Sequence, residues 1–193
     1  ICRIKYIMSF KIKANFFGDF KIGDNINYNL EVLNILYEAY SRLSDGYKLI
    51  KPIVIFNTAI IEAILYDFIE NRIRNKSYGD PIFLEITPQL PNKKADKFKY
   101  LIEKSQDYDF FLMEDKAFYN DMDFLRKMRN RIHIQNGRFE EPRKEQEIYH
   151  EGLKILSEKI LEKVIKTMTF HYEREKKYNY VKDFELPWNE HFI

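Results

Sequence analysis

Ile53-Val54-Ile55-Phe56-Asn57-Thr58-Ala59-Ile60-Ile61-Glu62-Ala63-Ile64-Leu65-Tyr66-Asp67-Phe68-Ile69 is the longest apolar stretch of the chain. Its apolar residues (Ile53, Phe56, Ile60, Ile61, Ile64, Leu65, Phe68) cover more than one face of a helix, and a helix apolar on several sides is a buried one. Asn57, Glu62 and Asp67 interrupt it, so it falls short of the roughly 20 apolar residues a bilayer core requires. The reading is a central core helix from about Pro52 to Asn75, with the proline at its opening turn, and no membrane partner is expected.

The flanking segments supply helices to surround it. Leu30, Leu33, Tyr37 and Tyr40 fall on one face of a preceding helix that begins after Gly23-Asp24-Asn25 and stops near Ser44-Asp45-Gly46, where glycine suits a helix end. Gly79, Pro81, Pro88 and Pro91 break the chain after the central helix, and a more exposed helix is predicted over about 92–106. A fourth spans about 115–134, stopped by Gln135-Asn136-Gly137. A fifth spans about 142–170, with Tyr149, Leu153, Leu156, Ile160, Val164 and Met168 inward and Glu and Lys on the opposite face.

At the N-terminus Ile4, Tyr6, Met8, Phe10, Ile12, Ala14 and Phe16 alternate with polar residues, the period of a strand. The turn at Phe17-Gly18-Asp19 and the Phe20-Lys21-Ile22 echo suggest a hairpin, which must lie on helices or pair elsewhere because a lone hairpin is marginal. The expected fold is mainly α: a four- to five-helix bundle with a small N-terminal β-strand or hairpin, in one domain. Residues 1–23 form the β element, 28–170 the bundle and 171–193 a tail.

Composition agrees with one domain and narrows the function. The 193 residues are 45% hydrophobic and 32% charged, with six glycines and six prolines. A chain of this size buries roughly 70% of its unfolded surface and needs no staples. Its lone cysteine, Cys2, makes no intramolecular disulfide, and no Cys/His cluster has metal-site spacing, so a reducing, cytoplasmic setting and no metal or cofactor are expected. Arg3, Lys5, Lys11 and Lys13 break any apolar secretory signal core. A net charge of +2 is too near neutrality to mark a nucleic-acid protein by its overall field.

Locally the balance is different. From Arg126 to Arg131 four cations occur in six residues with no carboxylate between them. At about 100° per helical residue, Phe118, Met122, Leu125, Met128 and Ile132 form one apolar face, and Arg126, Arg129 and His133 share the flank beside it, with Asn130 further out. Arginine offers a fixed fork of donors matching phosphate oxygens and stays charged at every physiological pH. Histidine moves protons near neutrality. Together they suit attack on RNA without metal: histidine serves the 2′-hydroxyl or the leaving oxygen, and arginine stabilises the crowded anionic phosphorane.

This segment resembles the signature of the HEPN (higher eukaryotes and prokaryotes nucleotide-binding) domain family: an arginine followed after four to six residues by a histidine, on a late helix of a small bundle, near an Arg-Asn pair. Arg126 to His133 fits with six intervening residues. Arg129-Asn130 resembles the family's arginine and polar residue, but only three residues then precede His133, so the principal arginine is Arg126 or Arg129. The resemblance implies a metal-independent endoribonuclease or an inactive relative that binds nucleotide, RNA or protein. It also implies a homodimer in which two such helices share one cleft, with Arg126 and His133 catalytic and Arg129, Asn130 and Arg131 contacting phosphate. A toxin or antiphage role, with an antitoxin or nucleotidyltransferase partner, is what the family often implies.

Other polar residues read more plainly. Glu62 and Asn57 need partners if buried, and Glu62 suits either orienting His133 or pairing with Arg129, a supporting role. Glu114-Asp115 and Asp121-Asp123 fit the capping of a helix N-terminus. His150 and His171 belong to helix surfaces and His191 to the tail. The stretch from Arg174 to Tyr180 mixes cations and aromatics as single-strand binders do, but its glutamates favour an ordinary tail.

Overall fold

The computed structural model describes residues 8–74, 97–113, 116–132, 144–174 and 181–192. The chain is mainly helical, with one small two-stranded sheet, as its patterning predicts. Strand β1 is Phe10–Ile12. Its partner is not the neighbouring Phe20-Lys21-Ile22 segment. It is β2, Phe184–Leu186, near the other end of the chain, antiparallel and with Phe10 opposite Leu186 and Ile12 opposite Phe184.

The Phe20-Lys21-Ile22 segment instead begins helix α1, Phe20–Arg42, which runs through Gly23-Asp24-Asn25 where the periodicity suggests a break. Asp19 is the reason: its carboxylate accepts from the Ile22 amide at 3.0 Å, capping the first turn. Gly23 is buried inside this helix because Val181 of the tail lies against it, 2.7 Å from where a Cβ would stand. The α1 helix ends at Arg42, and a Cβ on Gly46 would run into the Tyr40 carbonyl oxygen, so the chain turns there only with glycine.

After a 3₁₀ turn at Gly46–Leu49, α2 runs over Ile50–Tyr66 and continues as π-helical turns over Asp67–Ile73. The whole run from Gly46 to Ile73 is in fact long and apolar enough, by length and composition, to cross a membrane, with a mean hydropathy of 1.7 in its best window. Here it is the centre of the bundle: α1 and the helices named next pack around it. Two of its buried polar side chains reach partners within the protein, Asn57 donating through Nδ2 to Ser157 Oγ at 3.0 Å and Glu70 pairing with Arg74 at 2.6 Å.

The third helix, α3, covers Phe98–Asp107, and the expected start at 92 lies outside the described residues. The fourth, α4, is Ala117–Asn130, followed by a turn at Arg131 and Ile132. Asp121 and Asp123 do not cap it: Lys116 occupies the cap position, and Asp123 bonds further along the helix. Glu114 and Asp115 lie outside the described residues. The single fifth helix expected from the sequence is two, a short α5 at Glu145–Ile148 and a long α6 at Glu151–His171. Tyr149 leaves helical geometry between them (ψ 78°), its buried ring placing the hydroxyl 2.7 Å from the Met128 carbonyl oxygen.

The β element is fixed to α6 and to the end of α2. Thr169 Oγ1 donates to the Lys13 carbonyl at 2.9 Å, and Arg174 Nε to the Phe16 carbonyl at 2.8 Å. Phe16, Phe17 and Phe184 close over this junction with ring centroids 5.0–5.9 Å apart. Arg174 is thus an internal strut rather than part of a strand-binding surface, and 175–180 lie outside the described residues.

Candidate functional site

The candidate site is the C-terminal end of α4. Phe118, Met122, Leu125 and Met128 recur at helical spacing and are buried, as the wheel requires, and Tyr119 joins them. Each buried side chain of this size contributes about 1.5–3 kcal/mol, so the helix is held firmly while its other flank carries the charges. Ile132 departs from the wheel: the helix ends two residues before it, and it is 51% exposed. The Tyr149 hydroxyl caps the carbonyl of Met128 just as α4 runs out, fixing this end in place.

Three of the four cations of this segment, Arg126, Lys127 and Arg129, meet carboxylates from outside the run. Arg126 Nε donates to Asp123 Oδ1 at 2.6 Å, and Lys127 reaches the other oxygen at 2.9 Å. Burial pushes the Asp123 carboxyl up, but the hydrogen bonds from Arg126 and Lys127 outweigh it and hold the group below its ordinary value. Arg129 reaches across to Glu62 on α2, bonding through one terminal nitrogen, and its guanidinium lies 6.0 Å from the centre of the Phe98 ring on α3. Of the two partners the sequence suggests for Glu62, this is the arginine.

Asn130 is exposed at the last residue of α4, and Arg131 is half-buried beside Tyr149. Burial raises the Tyr149 phenol to about 12, the Glu145 charge adds to this, and Arg131 opposes it. His133 lies outside the described residues. The structure therefore brings Arg129 and Glu62 together across two helices and keeps Arg126 on its own turn with Asp123. A guanidinium carries five N–H donors, and these contacts engage Nε of Arg126 and one terminal nitrogen of Arg129. Both arginines can still offer a fork edge to a phosphate. Glu62 also borders a cleft of about 360 Å³ between α1 and α2, with Asn25, Asn29 and Tyr66 on its walls.

A second polar cluster escapes sequence reasoning. Glu158 and Glu162 fall on the face of α6 that periodicity assigns to solvent, yet both are buried, Glu158 at 2% exposure. Glu158 accepts from the Tyr37 hydroxyl at 2.5 Å, from Lys154 at 2.8 Å, and meets His191 Nε2 at 2.8 Å. Burial first, and then the Glu158 charge, push the Tyr37 phenol well up. Glu162 takes the backbone amides of His191 and Phe192 at 3.0 and 2.9 Å. His191 is therefore a tail residue with a buried anchor, beside a cleft of about 740 Å³ that Tyr47 and Trp188 also line. The signal was the i,i+4 pairing of Lys154 with Glu158 and of Glu162 with Lys166, unremarkable on any exposed helix. His150 and His171 are exposed, as read.

Among the described residues, no three His, Cys, Asp or Glu side chains converge as a metal ion would need. Comparison with protein-family models, with curated proteins and with solved structures finds no match for this chain.

Proposed function

We propose that the chain is a metal-independent endoribonuclease of HEPN type that cleaves single-stranded RNA at a site composed by two copies of α4. The observation that supports it best is the clamping of Arg129 by Glu62 beside Arg126 at the end of a helix held by Tyr149. Donors held in place before the substrate arrives stabilise a developing charge without reorganising. In this reading Arg126 and His133 carry the reaction, while Arg129, Asn130 and Arg131 hold phosphate. His133 takes the proton of the 2′-hydroxyl, its oxygen bonds to phosphorus, and the bond to the 5′ oxygen breaks. The products are a 2′,3′-cyclic phosphate and a 5′-hydroxyl. The two-fold pairing brings a second histidine to protonate that leaving oxygen. An enzyme of this kind in a toxin–antitoxin or antiphage setting is restrained by a partner, an antitoxin or a nucleotidyltransferase.

The alternative is a non-cutting module that binds nucleotide, RNA or a partner protein. It is favoured by the carboxylates already bonded to both arginines, which reduce the positive charge left to stabilise a phosphorane. Labelled single-stranded RNA incubated with the protein in EDTA separates the two. Fragments ending in cyclic phosphate that vanish in His133→Ala support the nuclease. Binding without fragments supports the module, and the absence of both binding and fragments counts against an RNA role of either kind.

A further inference from the structure

Two surfaces on opposite parts of the sequence complement each other. Between the start of α4 and the outer face of α6 runs an apolar groove of about 710 Å³, floored by Phe118 and Leu156 and flanked by Phe170 and Phe192. Phe170 is 76% exposed, and an apolar patch of this kind on a folded chain marks a contact surface. Lys159 and Lys163 line it and have no ion-pair partner among the described residues. Lys166 also borders it but is engaged by Glu162 and Glu190, and Asp121 stands at its edge on α4.

The exposed face of α1 carries the opposite pattern. Asp24, Tyr28, Glu31, Ile35 and Glu38 follow one another at steps of four, three, four and three residues, a single helical stripe. Tyr28 and Ile35 are 66% and 68% exposed, and Asp24 and Glu31 have no ion-pair partner among the described residues. Read backwards, the groove-side residues Phe170, Lys166, Lys163, Lys159 and Leu156 of α6 have the same steps. Both stripes are therefore about 21 Å long at 1.5 Å per residue. An antiparallel crossing in this register sets Glu31 opposite Lys163 at the middle of the contact, Asp24 at the end held by Phe170 and Ile35 beside Lys159, while Glu38, paired with Arg42 on its own helix, lies at the Leu156 end.

We infer that the acidic stripe of α1 in one copy docks into the lysine-rimmed α4–α6 groove of a second copy. The opposite charge of the two surfaces, Asp24 and Glu31 on α1 against Lys159 and Lys163 at the groove, selects this chain over an unrelated partner. The contact uses neither Arg126 nor Arg129, so it stands apart from the RNA reading. It closes as a reciprocal pair if both stripes engage at once and otherwise propagates head to tail.

The test is sedimentation equilibrium of the full chain across a concentration series, with Glu31→Lys, Lys163→Glu and their equimolar mixture, each checked for helicity by circular dichroism. The wild type is expected to exceed monomer mass and each single variant to associate at least tenfold more weakly. The mixture is expected to recover association, because the lysine introduced on α1 of one variant then meets the glutamate introduced on α6 of the other. Added salt weakens the association. A wild type that stays monomeric at every concentration overturns the inference. So does an assembly whose mass neither variant changes, or a mixture that fails to recover.

Discussion

Arg129 on α4 and Glu62 on α2 are sixty-seven residues apart in sequence and bonded in the fold, tying the cationic end of one helix to the centre of the bundle. The pair is only partly screened, with both side chains between a fifth and a third exposed. Arg129 thereby sits at a fixed place instead of sweeping solvent, and Phe98 beneath its guanidinium limits it further.

Breaking this pair should cost modest stability. Its partial burial places it between a surface pair worth almost nothing and a buried one worth several kcal/mol, so Glu62→Ala should destabilise by about 1–2 kcal/mol. Urea denaturation of Glu62→Ala, Arg129→Ala and the double variant gives the coupling. Strict additivity of the two single effects would show that the contact contributes nothing.

Asp123→Asn releases Arg126 and Lys127 from their shared carboxylate while keeping the side chain's shape. If Arg126 faces RNA, the variant binds single-stranded RNA more tightly, and its affinity falls more steeply with salt by about 0.7 in the log–log slope for each added phosphate contact. An unchanged slope removes Arg126 from the RNA surface. The variant also loses an acid-sensitive contribution. The Asp123 carboxyl lies below its ordinary 3.8, so its stabilisation is present above that value and is lost as pH falls through the lowered one.

The tail should be structural. Glu162 is fully buried and holds the amides of His191 and Phe192 as well as Lys166, so Glu162→Ala leaves two N–H groups without their acceptor and takes from Lys166 one of its two carboxylates, the other being Glu190. A loss of about 3–5 kcal/mol is expected. Phe184→Ala, at the junction with Phe16 and Phe17, should cost a similar amount, about 3–5 kcal/mol, through the cavity it opens. Thermal unfolding measures both, and limited proteolysis of Glu162→Ala should cut first near residues 181–192. A Glu162→Ala protein as stable as wild type would mean that the tail is not anchored there.

These elements also mark how far the sequence could be read. The central helix and α4 were legible because Ile53 to Phe68 and Phe118 to Met128 repeat at helical spacing, a local signal that packing reinforces. The pairing of Arg129 with Glu62 was foreseeable once a carboxylate stood in an apolar helix, since burial obliges it to find a cation. What could not be read was non-local. The partner of β1 is a short strand near the other end of the chain, and the cap at Asp19 overrode the strand-like look of Phe20-Lys21-Ile22. Lys154, Glu158 and Glu162 look like a solvated stripe until Trp188 to Phe192 fold back over them. Ile132 was misplaced because the helix was read on to about 134, whereas α4 ends at Asn130.

Alkaline pH should loosen the end of α4 through Tyr149. Its phenol is raised from 10.0 to about 12, chiefly by burial. Between these values the unfolded chain releases the proton while the folded chain retains it, so stability is full below pH 10 and declines as pH rises through 12. Tyr40, raised to about 12 by burial and by its bond to Glu151, adds a loss of the same sign. Comparing wild type with Tyr149→Phe isolates one residue. Below pH 10 the variant should be weaker by about 1 kcal/mol for the lost bond to the Met128 carbonyl. That gap should narrow as pH climbs from 10 to 12, because phenylalanine has no proton to lose. Urea midpoints at about pH 8, 10, 11 and 12 measure it, and a gap that stays constant across the series would show that the Tyr149 phenol titrates alike in both states.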